Sequence, residues 1–290
     1  MGPQEIKIKL PFTGINVSAK IWGPENGDPI IALHGWLDNA DSFQGLAPWL
    51  NNYRLISIDL PGHGLSDHIP PGMLYHFADY IRYVDEITQA LNLKNFGLIG
   101  HSMGAGIASL YASAYSNKIN FLGLIEGIGP MTTNEEDAAQ LLHDSIEDLK
   151  KFGHRPATLY KTVDEAARIR MIAGNITSNS AQLLVERNLK PHNNGYVWKT
   201  DPRLRLKSPY RFTELQVKSM LSKIKCPTLL IKAEKSIFKN TDILESRMLM
   251  IKRSTTQTLA GGHHLHLDDP NPTGRQLSIF SNSHTGEQIS

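Results

Sequence analysis

Short apolar runs alternate along this chain with longer segments of helical periodicity. Within each run the consecutive positions are apolar, as expected for a strand that is buried on both faces of a parallel sheet. Between two of the runs, residues 77–91 place their apolar side chains on one helical stripe. Strands that alternate with helices predict a doubly wound, mostly parallel sheet of the α/β class. The predicted strands are residues 30–33, 55–60, 96–99, 121–125, 228–231 and, more weakly marked, 255–259.

The beginning of the chain follows a different pattern, because polar and apolar positions alternate on both sides of a turn. Residues 5–10 and 15–22 show this alternation, with Pro11 and Gly14 between them. A period of two residues is typical of strands with one buried face. The pattern predicts an antiparallel hairpin that opens the sheet.

The alternation of strands and helices is interrupted between residues 131 and 221. This segment is polar, contains three helical patterns and shows no strong strand candidate. Because it directly follows a predicted strand of the sheet, we expect an inserted helical cap, although helices that simply cover the sheet would give the same pattern. The predicted domains are a core of residues 1–130 and 222–290 and a cap of residues 131–221. The cap helices are predicted at 134–151, 162–173 and 178–189, followed by a loop at 190–208.

Composition favours a globular protein over a membrane or nucleic-acid-binding one. The 290 residues are 40% hydrophobic and 20% charged, with a formal net charge of +2, and no apolar run approaches the length of a bilayer span. The most basic stretch, residues 199–211, also contains Asp201 and two prolines, so we interpret it as a solvated segment. With a single cysteine, Cys226, and no signal-peptide pattern, we expect a cytoplasmic protein.

The strongest chemical signal is a serine between two glycines, in Gly100-His101-Ser102-Met103-Gly104, where a predicted strand meets a predicted helix. In this context the pattern G-x-S-x-G places a nucleophilic serine on a sharp turn. A Cβ atom at either glycine position would collide with the neighbouring strand or helix. The alternative is a tight turn with an ordinary serine, but it leaves a suitably placed histidine and acid elsewhere in the chain unexplained.

A serine hydroxyl needs a general base at neutral pH, and His263 has the best position for that role. It follows the last predicted strand on a loop that begins with Gly261 and Gly262, in agreement with the chain order nucleophile, acid, histidine. His264 and His266 compete for the role, and His266 is the second choice. These two histidines lack a carboxylate or cysteine at a suitable spacing for a metal site, so we expect no metal.

The acid that orients the histidine is less clearly marked. Its usual position is just beyond the strand at 228–231, but Ser236 stands where an aspartate is expected. Glu126 ends the preceding apolar strand, where a carboxylate without a partner is costly and an imidazole is a plausible partner. We therefore predict Glu126 as the acid, with Glu234 and Asp242 as alternatives. Backbone amides at the junction with the cap are the other plausible partners of this carboxylate.

Two backbone amides are predicted to bind the oxyanion of a tetrahedral intermediate. One belongs to Met103, which follows the nucleophile and begins its helix. The other belongs to Trp36, in the loop after the strand at 30–33, where Gly35 allows the backbone to turn. Three further polar residues near these motifs are expected to be structural: His34, His101 and Asp59.

Taken together, these residues resemble the α/β-hydrolase superfamily and, within it, the serine hydrolase-like protein group. The resemblance covers residues 5–270 and implies an eight-stranded sheet, a helical cap and a Ser–His–acid triad without a cofactor. The motifs that carry it are His34-Gly35-Trp36-Leu37-Asp38-Asn39-Ala40, Asp59-Leu60-Pro61-Gly62-His63-Gly64-Leu65-Ser66, Gly100-His101-Ser102-Met103-Gly104, Tyr210-Arg211-Phe212-Thr213 and Gly262-His263.

Two features depart from the pattern of this family. Ser236 occupies the usual acid position, although some relatives, certain haloalkane dehalogenases among them, carry the acid at the end of the strand after the nucleophile helix, which supports Glu126. The tail from Asn271, which includes Pro272 and Gly286, does not resemble the amphipathic helix that normally closes the fold. We expect at most a turn or two of helix, at residues 275–280.

The leading hypothesis is hydrolysis of a small apolar carboxylic ester through an acyl-enzyme on Ser102. The same groups would serve for a thioester, an amide or a carbon–carbon bond. Haloalkane and epoxide hydrolysis are disfavoured, because they need a carboxylate nucleophile at this position. The alternative from a different class is a non-catalytic protein that binds a small apolar ligand beneath the cap, and a cofactor-free haloperoxidase or dioxygenase is a third. No nucleic acid and no membrane span are expected, and the oligomeric state is not indicated.

Overall fold

The computed structural model describes residues 2–152, 158–238 and 242–284. Within them, eight strands form one sheet in the order β1-β2-β4-β3-β5-β6-β9-β10, and β7 and β8 form a separate hairpin. The first two pairings of the large sheet are antiparallel and the others are parallel, which confirms the predicted α/β class. The strands are β1 (Gln4–Lys9), β2 (Asn16–Trp22), β3 (Asp28–Leu33), β4 (Tyr53–Ile58), β5 (Phe96–His101), β6 (Ile119–Ile125), β7 (Leu189–His192), β8 (Gly195–Trp198), β9 (Thr228–Lys235) and β10 (Ser254–Gly262).

Helices cover both faces of the sheet, because its parallel strands are apolar on both sides. Ile31 lies in the core that α1, α2, α6 and α7 form on one face. Its neighbour Ile30 lies in the core formed on the other face by the 3-10 helix Ala40–Leu50, α8 and α9. The helices are α1 (Asp79–Ala90), α2 (Met103–Ala114), α3 (Ala138–Phe152), α4 (Val163–Gly174), α5 (Ser178–Asn188), α6 (Glu214–Leu221), α7 (Asp242–Met248), α8 (Leu265–Asp268) and α9 (Pro270–His284).

The register of the parallel strands brings the ends of four strands together. Leu33 of β3 pairs with Gly100 of β5, and Ile125 of β6 pairs with both His101 of β5 and Ile231 of β9. The residues that follow β3, β5, β6 and β9 therefore share one edge of the sheet. In open α/β sheets this carboxyl edge is where ligands bind.

The prediction of a loop at residues 190–208 is wrong in its first part, because β7 and β8 form an antiparallel hairpin there. His192 pairs with Gly195, so only two residues make the turn, and Asn193 has a φ of 50°. Asparagine tolerates the left-handed conformation that such turns need. The sequence did not indicate strand β7, since neither Lys190 nor Pro191 is a residue type that is typical of strands.

The prediction of an irregular tail is also wrong, because α9 is a helix of 15 residues. Pro270 and Pro272 lie in its first turn, where a missing backbone N–H costs nothing. At Gly274 an added Cβ would lie 2.3 Å from Trp49, so the glycine allows the helix to pack closely on the 3-10 helix Ala40–Leu50. Leu277 of α9 is buried in the same core. Gly286 lies outside the described residues.

The elements between β6 and β9 are α3 to α6 and the β7–β8 hairpin, and their division from the core at residues 131 and 221 stays a prediction. Helix α5 is fastened to the core by Arg187, whose Nε donates to Asp59 Oδ2 at 2.9 Å and whose Nη1 donates to Glu5 Oε1 at 2.6 Å. Burial disfavours the charge of Arg187, but the two carboxylates outweigh it and raise its pKa.

Helix α3 is attached more loosely than α5. Its apolar Leu142 and Ile146 are about half exposed, at 50% and 53%. Its hydrogen bonds to Lys207 in the following segment are polar and exposed, from Lys207 Nζ to Asp144 at 2.8 Å and from the Lys207 amide to Asp148 at 3.0 Å. Exposed ion pairs of this kind contribute little stability. None of the helices in the described part of the chain has the length and apolar character to cross a bilayer.

Candidate active site

The turn between β5 and α2 holds Ser102 in a conformation that is rare for a residue with a side chain. Its φ is 51° and its ψ is −112°, and its amide donates to the Ile125 carbonyl at 2.9 Å. A Cβ at Gly100 would lie 2.3 Å from the Gly104 carbonyl oxygen, and a Cβ at Gly104 would lie 1.9 Å from that of Leu33. Glycines are therefore required on both sides, and the turn projects the serine at the carboxyl edge of the sheet.

Ser102, His263 and Glu126 form one line of contacts at this edge. The Nε2 atom of His263 lies 2.9 Å from Ser102 Oγ, and its Nδ1 atom lies 3.2 Å from Glu126 Oε2. When Nδ1 carries the proton that faces the carboxylate, Nε2 is free to accept a proton from the serine hydroxyl. Sequence reasoning named these three residues, and the structure places Ser102 and Glu126 each within hydrogen-bond distance of His263.

Glu126 is completely buried and has a φ of 48°, so its position is unusual for backbone and side chain alike. Besides His263, its carboxylate accepts the Ala233 amide at 2.7 Å and the Ser236 hydroxyl at 2.8 Å. Three donors compensate for the burial of a negative charge. Ser236, which stands where an acid was expected, is therefore a hydrogen-bond partner of the Glu126 carboxylate.

The alternative acids and bases lie elsewhere. Glu234 and Asp242 are exposed, unlike Glu126. His266 is buried with its Nε2 atom 2.9 Å from Ser42 Oγ, and the Nε2 atom of His264 lies 3.4 Å from Asp38 Oδ2. The geometry thus favours the predicted pair Glu126 and His263 over the alternatives named from the sequence.

The two predicted oxyanion amides lie at the ends of β3 and β5. Met103 begins α2, so its N–H has no acceptor within the helix. The Trp36 amide donates to no acceptor among the residues that the structure describes. In the same turn, the Asp38 amide donates to the Gly35 carbonyl oxygen at 3.1 Å. The turn includes Leu37 with a φ of 63°. A Cβ at Gly35 would lie 2.8 Å from both Asp38 and His101, so the glycine serves close packing.

His34 braces the loop that carries Trp36. Its Nδ1 atom lies 2.7 Å from the Gly35 carbonyl oxygen, and its Nε2 atom accepts the Leu60 amide at 3.1 Å. This pair of contacts requires the neutral ring with its proton on Nδ1. Burial lowers the pKa of His34 to about 4 and that of the neighbouring His63 to about 3. Both rings are therefore neutral at pH 7, as expected of structural histidines.

We expect these two histidines to make the fold sensitive to mild acid. Because their pKa lies below the value of about 6.5 for an unfolded histidine, the unfolded chain binds protons first. Their contribution to the free energy of unfolding is fully present above pH 6.5 and is lost as the pH falls towards 4. Between pH 7 and 5 we expect a loss of about 1–2 kcal/mol for each histidine. Urea unfolding at both pH values measures the change. His63→Asn should show a smaller pH dependence, and an unfolding free energy that is equal at pH 7 and 5 would contradict the prediction.

Comparison with known proteins places the chain in a family. Residues 28–145 match the α/β-hydrolase fold family. A serine hydrolase-like protein of Dictyostelium discoideum is 34% identical over 294 residues, which cover 96% of this chain and 81% of that protein. The chain belongs to the α/β-hydrolase family. The predicted fold is thereby confirmed.

Comparison with solved structures agrees with this assignment. A hypothetical protein of Pseudomonas aeruginosa is 36% identical, with a TM-score of 0.90 over 98% of this chain and 100% of that one. The thioesterase domain from the curacin biosynthetic pathway is 26% identical, with a TM-score of 0.81 over 96% of this α/β-hydrolase and 100% of that domain. These structures thus share the fold over nearly the whole chain.

Proposed function

We propose that this α/β-hydrolase cleaves carboxylic esters through an acyl-enzyme on Ser102. The observation that carries the proposal is the line from Ser102 Oγ through the His263 ring to the Glu126 carboxylate, with contacts of 2.9 Å and 3.2 Å. A nucleophile within hydrogen-bond reach of a base, and a base oriented by an acid, is the arrangement that activates a serine. The role of each residue is part of the proposal.

The first half of the reaction forms the acyl-enzyme. Ser102 Oγ attacks the carbonyl carbon of the ester while His263 Nε2 takes the hydroxyl proton. The carbonyl oxygen becomes an oxyanion, which the amides of Trp36 and Met103 bind. His263 then gives its proton to the departing alkoxide oxygen, the bond between that oxygen and the acyl carbon breaks, and the alcohol leaves with the acyl group still on Ser102.

Water completes the cycle by the same steps. His263 takes a proton from the water as its oxygen attacks the acyl carbon, and the second tetrahedral intermediate collapses. The proton returns to Ser102 Oγ as the ester bond to the serine breaks, so the products are an acid, an alcohol and the free enzyme. Throughout, the Glu126 carboxylate stabilises the positive charge that His263 carries.

Exposed apolar side chains that follow three strands of the sheet support an apolar substrate. Trp36, Met131 and Ile237 follow β3, β6 and β9 at the carboxyl edge, and each is exposed, by 49%, 71% and 60%. Exposed apolar side chains at the edge where ligands bind offer contact to an acyl or alkyl chain. The similarity to a thioesterase domain makes a thioester the nearest alternative substrate to an ester.

A fluorophosphonate probe tests the proposal directly. Such a probe forms a covalent bond only with a serine that is activated as a nucleophile, so we expect stoichiometric labelling of the folded protein. Digestion and mass spectrometry should find the phosphonate on the peptide that contains Ser102. Heat-denatured protein is the control and should remain unlabelled. If the folded protein is not labelled, the hydrolase proposal fails and a small-ligand-binding role under the cap takes its place.

A further inference from the structure

Asp38 lies at the junction of the catalytic groups, although the acyl-transfer steps do not use it. It follows Trp36 by two residues, and its side chain is completely buried. Its Oδ2 atom faces two imidazoles, with His101 Nδ1 at 3.6 Å and His264 Nε2 at 3.4 Å. Its Oδ1 atom accepts a hydrogen bond from Arg170.

Both imidazoles are next to a catalytic residue in the chain. His101 precedes Ser102, and its Nε2 atom donates to the main-chain carbonyl of His263 at 2.9 Å. His264 follows His263 directly. The carboxylate of Asp38 thus lies next to the residue that precedes Ser102 and next to the residue that follows His263.

Arg170 brings a second part of the molecule to the same carboxylate. It belongs to α4, between β6 and β9, whereas Asp38 belongs to the loop after β3. The Arg170 side chain is only 14% exposed. A buried pair of a guanidinium and a carboxylate is strongly destabilising when one partner is removed, so the two groups hold their elements together.

Asp38 and Arg170 carry opposite charges in this cluster. Burial would favour the neutral form of Asp38, but the imidazoles of His101 and His264 and the guanidinium of Arg170 outweigh it and hold the pKa of Asp38 well below its usual value. Burial lowers the pKa of His101 to about 4, so that ring is neutral at pH 7. One negative charge on Asp38 therefore meets one positive charge on Arg170.

The same cluster has the atom types of a metal site. Asp38 Oδ2, His101 Nδ1 and His264 Nε2 lie within 4.8 Å of one another. A divalent ion there would add two positive charges to a buried group that Arg170 already neutralises, and the desolvation of that excess charge opposes binding. The charge balance favours a role of Asp38 through its protein partners.

We propose that Asp38 is a positioning residue that couples helix α4 to the catalytic histidine. Through Arg170 it fixes α4 against the Trp36 loop, and through His264, whose Nε2 atom lies 3.4 Å from Asp38 Oδ2, it fixes the loop that carries His263. This inference rests on the proposed acyl transfer at Ser102. Small errors in the position of a catalytic group reduce rates strongly, so the coupling acts on kcat more than on substrate binding.

Asp38→Asn tests the coupling, because it keeps the shape of the side chain and removes its charge. With a p-nitrophenyl ester we expect kcat to fall by about 10- to 100-fold and KM to change by less than about threefold. The matched control is Asp41→Asn, which breaks a similar buried pair, with Lys20, one turn further along the same segment. Its kcat should stay within about twofold of the native value.

The Arg170 side of the ion pair with Asp38 is tested by two variants, Arg170→Met and Arg170→Lys. We expect Arg170→Met to lower kcat in the same direction as Asp38→Asn, and Arg170→Lys to recover part of the loss because it keeps the charge. The variant with both Asp38→Asn and Arg170→Met should be no slower than Asp38→Asn alone, since the two residues act through one contact. If Asp38→Asn does not fold, the two Arg170 variants still test the coupling between α4 and the catalytic histidine.

Three results would overturn the coupling. They are an unchanged kcat in Asp38→Asn, an equal loss in Asp41→Asn, and a native activity that disappears with a chelator and returns with zinc. Ser102→Ala, assayed in parallel, separates this failure from that of the proposed function. Native hydrolysis that needs Ser102 but tolerates Asp38→Asn overturns the coupling alone, whereas a native protein without hydrolysis overturns both.

Discussion

Ser102→Ala is expected to lower the hydrolysis of esters by about a millionfold. Without the hydroxyl no covalent bond to the acyl group forms, and water must attack the bound ester directly. What remains is the stabilisation of the oxyanion by the Trp36 and Met103 amides and the binding of the substrate, which together give only a small residual rate. The measurement is kcat/KM with a chromogenic ester, at enzyme concentrations high enough to detect the residual rate.

A second serine on the same helix provides the control. Ser113 lies on α2, and its hydroxyl donates to the Leu110 carbonyl at 2.7 Å, so Ser113→Ala removes a hydroxyl without approaching His263. Its kcat/KM should equal that of the native protein. If Ser102→Ala keeps more than about 1% of the native rate, the nucleophile is a different group and the proposed mechanism is wrong.

Glu126→Gln is expected to lower kcat by about 10,000-fold. The Ala233 amide should still donate to the carbonyl oxygen of the new amide, which turns its NH₂ group towards His263 Nδ1. A donor in that place forces the histidine proton onto Nε2, and the ring then has no lone pair for the Ser102 hydroxyl. The change therefore acts through the tautomer of the histidine, with little change in the shape of the site. The kcat for ester hydrolysis, with fold checked by circular dichroism, is the measurement.

Three further variants separate this effect from its alternatives. Ser236→Ala removes one hydrogen bond to the carboxylate and leaves its charge, so we expect a loss of about tenfold or less. Glu234→Gln and Asp242→Asn alter the other acids considered from the sequence, and both should behave as the native protein does. A large loss in either of them, with activity retained in Glu126→Gln, would reassign the acid.

The sequence predicted those parts of the fold that depend on local signals. The six apolar runs and the opening hairpin are strands. Five of the runs lie in strands that are largely buried and therefore apolar along their length, whereas the weakly marked run at 255–259 belongs to β10, an exposed strand at the edge of the sheet. The turn at Ser102 is equally local, since two glycines and one strained residue define it. The structure brings Glu126 to His263 because parallel pairing aligns the ends of β6, β9 and β10.

What the sequence did not predict depends on contacts between distant residues. Ser236 was considered only as a missing acid, and its bond to Glu126 joins residues 110 positions apart. The helix α9 was missed because its glycine and prolines count against a helix unless one knows that Gly274 packs against Trp49. The Asp38 cluster combines residues from four separate segments, and no spacing rule connects them.

The ion pairs of Arg187 also have a consequence for how substrate enters. They fix α5 to the loop after β4 and to the first strand of the sheet, with the Arg187 side chain 4% exposed. The links of helix α3 to Lys207, within the residues that the structure describes, are polar and exposed. Because α5 is anchored to the core and α3 is attached more loosely, we expect α5 to stay fixed and α3 to move when substrate enters. We therefore expect amide hydrogen exchange to be slow along α5 and fast along α3. Such a difference would indicate that substrate enters the site next to α3.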